Sequence, residues 1–154
     1  MRRILLHRIY RFYALHRYGS PHRTPDENRA VYGELAEAHG HDYEVRVSVG
    51  GVPAESSGFV VDLPTLDRLV EEEIGPLRGR DLNDAIPEVR DGLIQPGCES
   101  LAAWIWDRIV SRMPDGSHLE AVQVWESQTL GAEVSRGESL RPDSPSLPPQ
   151  GLGG

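Results

Sequence analysis

The stretch that most restricts this chain runs from Tyr43 to Val49, where Val45, Val47 and Val49 alternate with Glu44, Arg46 and Ser48. A period of two is the signature of a half-buried β-strand. Carried back towards the N-terminus, the same parity puts His39, His41 and Tyr43 on the valine face. Two imidazoles then project side by side, about 6–7 Å apart along the backbone. Unpaired polar rings on an apolar face cost free energy. Two arrangements remove that cost. Both rings can bond to backbone carbonyls, or both can hold a metal, since neutral imidazole is a standard zinc ligand. The HxH spacing alone leaves both open.

Residues 4–16 fit a strand in which Tyr10, Phe12, Ala14 and His16 share one parity. His16 therefore continues an apolar face as the other pair does, while His7 has the opposite parity and is expected at the surface. Tyr18 to Asn28, with Gly19, Pro21 and Pro25, reads as a loop that leaves His22 solvated. Residues 29–38 suit a short helical turn or a continued loop. The strand over 39–50 is expected to turn at Gly50-Gly51 and return over Gly58–Val61 as a β-hairpin. Asp62-Leu63-Pro64 opens a helix over 64–74, with Leu66, Leu69, Val70 and Ile74 as its apolar stripe and Gly75-Pro76 as its stop. Residues 77–97 look irregular. A second helix fits Glu99 to Met113 on a face of Leu101, Ala102, Ile105, Ile109 and Met113. Leu119 to Glu126 alternates again, with Val122, Val124 and Glu126 on one side, and a last strand fits 131–136. From Gly137 the chain is rich in Pro, Ser and Gly and poor in apolar residues. One domain over 1–136 and a flexible tail over 137–154 are expected.

Composition narrows the function. The chain has 154 residues, enough for one domain with a core, and a net charge of −8, which disfavours nucleic acid or an anionic membrane as partner. All 16 basic residues are arginine, so Schiff-base chemistry, pyridoxal phosphate anchoring and a P-loop are excluded. The one cysteine, Cys98, rules out an internal disulfide and fits a cytoplasmic location. Met1 to Leu6 starts like a signal peptide, but His7, Arg8 and Arg11 break the apolar run. No stretch approaches the ~18–20 apolar residues of a membrane span.

The order of elements is α+β. Several short motifs fall along it: Phe12-x-Ala14-x-His16, Glu27-Asn28, Tyr32-Gly33, His39-Gly40-His41-x-Tyr43, Gly58-Phe59-Val60-Val61-Asp62, Pro96-x-x-Glu99-x-Leu101-Ala102 followed by Trp104-Ile105-Trp106, and Trp125-Glu126. In this order and spacing they resemble the 6-pyruvoyltetrahydropterin synthase family, with its bacterial relative, 6-carboxytetrahydropterin synthase of the queuosine pathway. The resemblance covers residues 8 to 135. It implies the tunnelling fold, a four-stranded antiparallel sheet with two helices on one face. Subunits of that fold join edge to edge into an oligomeric barrel, as trimers or hexamers. Barrel closure also removes the two open edges that such a sheet exposes.

The resemblance further implies Zn2+ bound by His16, His39 and His41, with a fourth position open as in catalytic sites. It implies a small-molecule pterin as substrate and Glu126 as the carboxylate that anchors its ring, with Glu99 beside it. The proton-transfer residues differ from the family's. The cysteine expected before the HGH motif is missing from Gly33-Glu34-Leu35-Ala36-Glu37-Ala38. An expected Asp-His pair is replaced by Arg78 and Gly79, and a threonine by Gly97. Three readings follow. Glu34 or Glu37 serves as base in a zinc-dependent lyase acting on the side chain of 7,8-dihydroneopterin or its phosphate, as in aldolase-like relatives. The chain is a non-catalytic pterin- or purine-binding module. Or it is a divergent synthase, with Arg78 and Arg80 holding a phosphate or carboxylate.

Overall fold

The computed structural model describes residues 2–137. Four strands form one antiparallel sheet in the order β1 (Leu5–His16), β2 (His39–Gly51), β3 (Ser117–Trp125), β4 (Gly131–Ser135). The alternation that defines β2 is realised in burial: Tyr43, Val45, Val47 and Val49 are fully buried. The β1–β2 ladder sets Ala14 opposite His41 and His16 opposite His39. Three histidines from two strands therefore end on one face at one end of the sheet.

Two long helices cover that face, α2 (Leu63–Ile74) and α5 (Cys98–Ile109). Asp62 caps α2 by accepting the Thr65 N–H. Leu66, Val70 and Ile74 from α2 and Leu101, Ile105 and Ile109 from α5 pack with Tyr10, Phe12, Val122 and Val124 of the sheet. Each such side chain contributes about 1.5–3 kcal/mol when fully buried. The two helices are tied by Glu73, which accepts from Arg108 and, at 2.6 Å, from Arg112. Burial pushes the Glu73 carboxyl up, and the two guanidiniums outweigh it, so its pKa lies below the ordinary value.

Three shorter helices complete the fold: α1 (Pro25–Tyr32), α3 (Leu82–Ala85) and α4 (Pro87–Arg90). The first spans a stretch read as loop and then as a short helical turn or continued loop, and the other two lie in the stretch read as irregular. A capping box explains α1: the Thr24 hydroxyl accepts the Glu27 N–H, and the Glu27 carboxylate accepts the Thr24 N–H. The expected return strand over Gly58–Val61 does not form. Both edges of β2 are already taken, by β1 and β3, so a third partner has no ladder to join. Val60 and Val61 are buried in the core instead. Of the expected tail over 137–154, all but Gly137 lies outside the described residues. No helix among the described residues is long and apolar enough to cross a membrane.

Candidate functional site

His16 is fully buried at the end of β1. Its Nδ1–H donates to the Pro96 carbonyl at 2.7 Å, with the Tyr43 hydroxyl 3.1 Å from the same nitrogen. His39 Nδ1–H donates to the Glu37 carbonyl at 2.8 Å. A carbonyl only accepts, so both rings carry their proton on Nδ1 and present the Nε2 lone pair. The Nε2 atoms of His16 and His41 are 3.1 Å apart, and one ring nitrogen from each of the three histidines lies within 4.8 Å of the others. Zinc with tetrahedral bonds of about 2.0–2.1 Å sets its nitrogens about 3.3–3.4 Å apart. The spacings here, 3.1 Å for one pair and within 4.8 Å for all three, bracket that value, so the donor set fits such an ion. Burial holds the His16 imidazole below its ordinary pKa, against the pull of the Pro96 carbonyl, with His39 and His41 adding to the lowering. Neutral imidazole is the form that ligates.

Of the HxH pair, His39 bonds a backbone carbonyl through Nδ1, whereas the described bond of His41 is to His16 Nε2.

A carboxylate group lies beside the histidines. Glu126 follows β3, and its Oε2 is 3.6 Å from the Cys98 Sγ at the start of α5. It makes no ion pair among the described residues. His41 and Glu126 open on one cavity of about 660 Å³. Burial and the Glu126 carboxylate push the Cys98 thiol up to about 12, so Cys98 stays protonated and is no nucleophile. Glu99 is exposed, and its Oε2 lies near Gly97 on the same side.

The remaining sequence candidates are distributed unevenly. Glu34 and Glu37 are exposed, and with His39 they line a smaller cavity of about 430 Å³. Glu37 has Arg29 at 3.4 Å, whereas Glu34 makes no ion pair among the described residues. Arg78 is engaged elsewhere: it pairs with Glu71 at 2.6 Å and donates to the Arg11 carbonyl at 2.7 Å. Arg80 is exposed, and its carbonyl accepts the Leu15 N–H where residues 79–81 run along the outer edge of β1. Neither arginine side chain contacts the histidines among the described hydrogen bonds.

Sequence reasoning passed over Tyr18. It continues the parity of Phe12, Ala14 and His16, and its ring lies 5.5 Å from that of His16. Reading 18–28 as a plain loop hid it. The chain on either side is held by three side-chain amides that replace a neighbouring strand. Asn83 bonds both the N–H and the carbonyl of Arg17 at 2.9 Å. Gln95 does the same for Gly19 at 3.1 and 2.8 Å, and Asn28 for Ser20 at 2.9 and 3.0 Å. The Tyr18 N–H itself donates to the Leu35 carbonyl at 2.8 Å.

Comparison with known proteins agrees with this architecture. Residues 6–137 match the family model described as 6-pyruvoyl tetrahydropterin synthase. The 6-pyruvoyl tetrahydrobiopterin synthase of Poecilia reticulata is 34% identical over 110 residues, 70% of this chain and 74% of that protein. The dihydroneopterin monophosphate aldolase of Pyrococcus furiosus is 31% identical over 101 residues, 66% of this chain and 81% of that protein. The structure of Caenorhabditis elegans 6-pyruvoyl tetrahydropterin synthase superposes with a TM-score of 0.77 at 23% identity, over 89% of this chain and 98% of that one.

Proposed function

Because this chain belongs to the 6-pyruvoyl tetrahydropterin synthase family, we propose that it is a zinc-dependent pterin-processing lyase acting on the side chain of 7,8-dihydroneopterin or its phosphate. The observation that carries the reading is the convergence of His16, His39 and His41, with Nδ1 of the first two tied to carbonyls, beside Glu126, a carboxylate with no ion pair among the described residues. Those three histidines would hold the ion, and bound zinc supplies Lewis-acid polarisation of a substrate oxygen.

Glu126 anchors the ring. A 2-amino-4-oxopterin presents two adjacent N–H donors, and a carboxylate without a cation accepts both. Glu99 stands beside it as a second acceptor. Glu34 and Glu37 line a cavity with His39, where a base is needed. In an aldolase-type cleavage the base takes the proton of the hydroxyl on the second side-chain carbon. The bond between the first and second carbons then breaks, and its electrons pass into the ring imine. Glu34 is the freer acceptor, because Arg29 approaches Glu37. The named activity of the Pyrococcus furiosus relative supports this class. Arg78, tied to Glu71, and Arg80 stand outside the proposed site.

The exposure of both glutamates favours a second reading, a non-catalytic pterin- or purine-binding module. The test is incubation of zinc-loaded protein with 7,8-dihydroneopterin, its monophosphate and its triphosphate, followed by mass analysis. Consumption of one of them, lost in Glu34→Gln or Glu37→Gln while zinc content and neopterin binding persist, supports the lyase. No consumption of any by the wild type overturns it and leaves the binding module.

We further propose a homo-oligomer. Ile4, Leu5, Ile9 and Tyr13 expose large apolar surface at and around β1, an edge strand.

A further inference from the structure

Tyr18 is built into the site with more support than any loop residue needs. Its neighbours Arg17 and Gly19 are each gripped at N–H and carbonyl by a side-chain amide, and its own N–H is bonded. Its ring stacks obliquely on Tyr32 at 5.8 Å and meets His16 at 5.5 Å. Side chains locked by packing and surrounding hydrogen bonds are how sites hold a contact group in place.

The hydroxyl ends in space that residue 97 leaves open. A Cβ on Gly97 would come 3.0 Å from the Tyr18 hydroxyl oxygen and 3.1 Å from Glu99 Oε2. Gly97 has φ −81°, a conformation any residue adopts, so the backbone does not require glycine there. What the missing side chain provides is room for these two polar groups. Tyr18 lies within electrostatic reach of Glu126, Cys98 and Glu99, yet its hydroxyl bonds none of them. Its hydroxyl makes no hydrogen bond among the described residues and lies between the histidines and the carboxylates.

We propose that Tyr18 is a substrate-contacting specificity residue, whose hydroxyl bonds a polar substituent at the junction between the ligand's ring and its side chain. The inference rests on the pterin reading above. If Glu126 takes the ring and the histidines face the side chain, the junction falls between them, where the Tyr18 hydroxyl is. Tyr18 would then select pterins with a hydroxylated side chain over pterins with a bare alkyl group.

The test uses two unreactive fluorescent ligands, neopterin and 6-methylpterin, titrated into full-length wild type, Tyr18→Phe and Gly97→Val. Tyr18→Phe should weaken neopterin binding about 3- to 10-fold and leave 6-methylpterin unchanged, as expected for loss of one neutral hydrogen bond. Gly97→Val, which crowds both the Tyr18 hydroxyl and Glu99 Oε2, should weaken both ligands, and neopterin the more. Equal weakening of both ligands means that Tyr18 acts only on the shape of the site, and it overturns the inference. So does no change for either ligand. If the wild type binds neither ligand, the pterin reading falls, and this inference with it.

Discussion

Glu126→Gln keeps the shape of the side chain and removes its charge, which separates its effect on binding from its effect on stability. The carboxylate is half-buried, makes no ion pair among the described residues, and its described side-chain contact is the Cys98 thiol at 3.6 Å. No ion pair among the described residues depends on its charge. Unfolding free energy should therefore change by less than about 0.5 kcal/mol, and Tm by no more than about 2 °C. Ligand binding should behave differently. In the proposed complex the carboxylate accepts two N–H donors, whereas the amide would accept one and turn its own NH2 towards the other. Losing charge-assisted acceptance of this kind costs about 1.5–3 kcal/mol, or about 10- to 150-fold in Kd. Neopterin fluorescence titration and a thermal melt on the same preparation measure both quantities. A Tm lowered by more than about 5 °C with unchanged Kd would make Glu126 structural and refute the anchoring argument.

Three further outcomes follow from other parts of the molecule. His39→Ala should reduce zinc retained through gel filtration from about one per chain to near zero without unfolding the protein; full retention would remove His39 from the ligand set. Sedimentation of the 17.1 kDa chain at micromolar concentration should show a trimer or hexamer, and a monomer would refute the assembly proposal. Glu73 has a folded pKa below its unfolded value, so its bonds to Arg108 and Arg112 contribute fully above about pH 4.3 and are lost as pH falls through the folded pKa. Glu73→Gln should accordingly melt below wild type at pH 7, with the gap narrowing towards pH 3; a gap constant with pH would show that the ion pairs are not its cause.

The sequence by itself determined which faces are buried. Alternation is a local property, set by the two-residue repeat of a strand. His16, Val45 and Val124 could therefore be assigned inward before any contact was known, and the structure buries all three. The two long helices were legible for the same reason, through Leu66, Val70 and Ile105. Pairing between distant segments is not local, and one pairing read from the sequence failed. Gly58–Val61 has the composition of a strand, but both edges of β2 are occupied by partners many residues away. Arg78 and Arg80 looked free to hold an anion until α2 brought Glu71 to one of them. Tyr18 had the right parity and was hidden by the turn residues around it. Its support comes from Asn28, Asn83 and Gln95, three amides that only the fold assembles. Side-chain period is written along the chain, whereas a hydrogen bond between residues 19 and 95 exists only once the core has closed the loop between them.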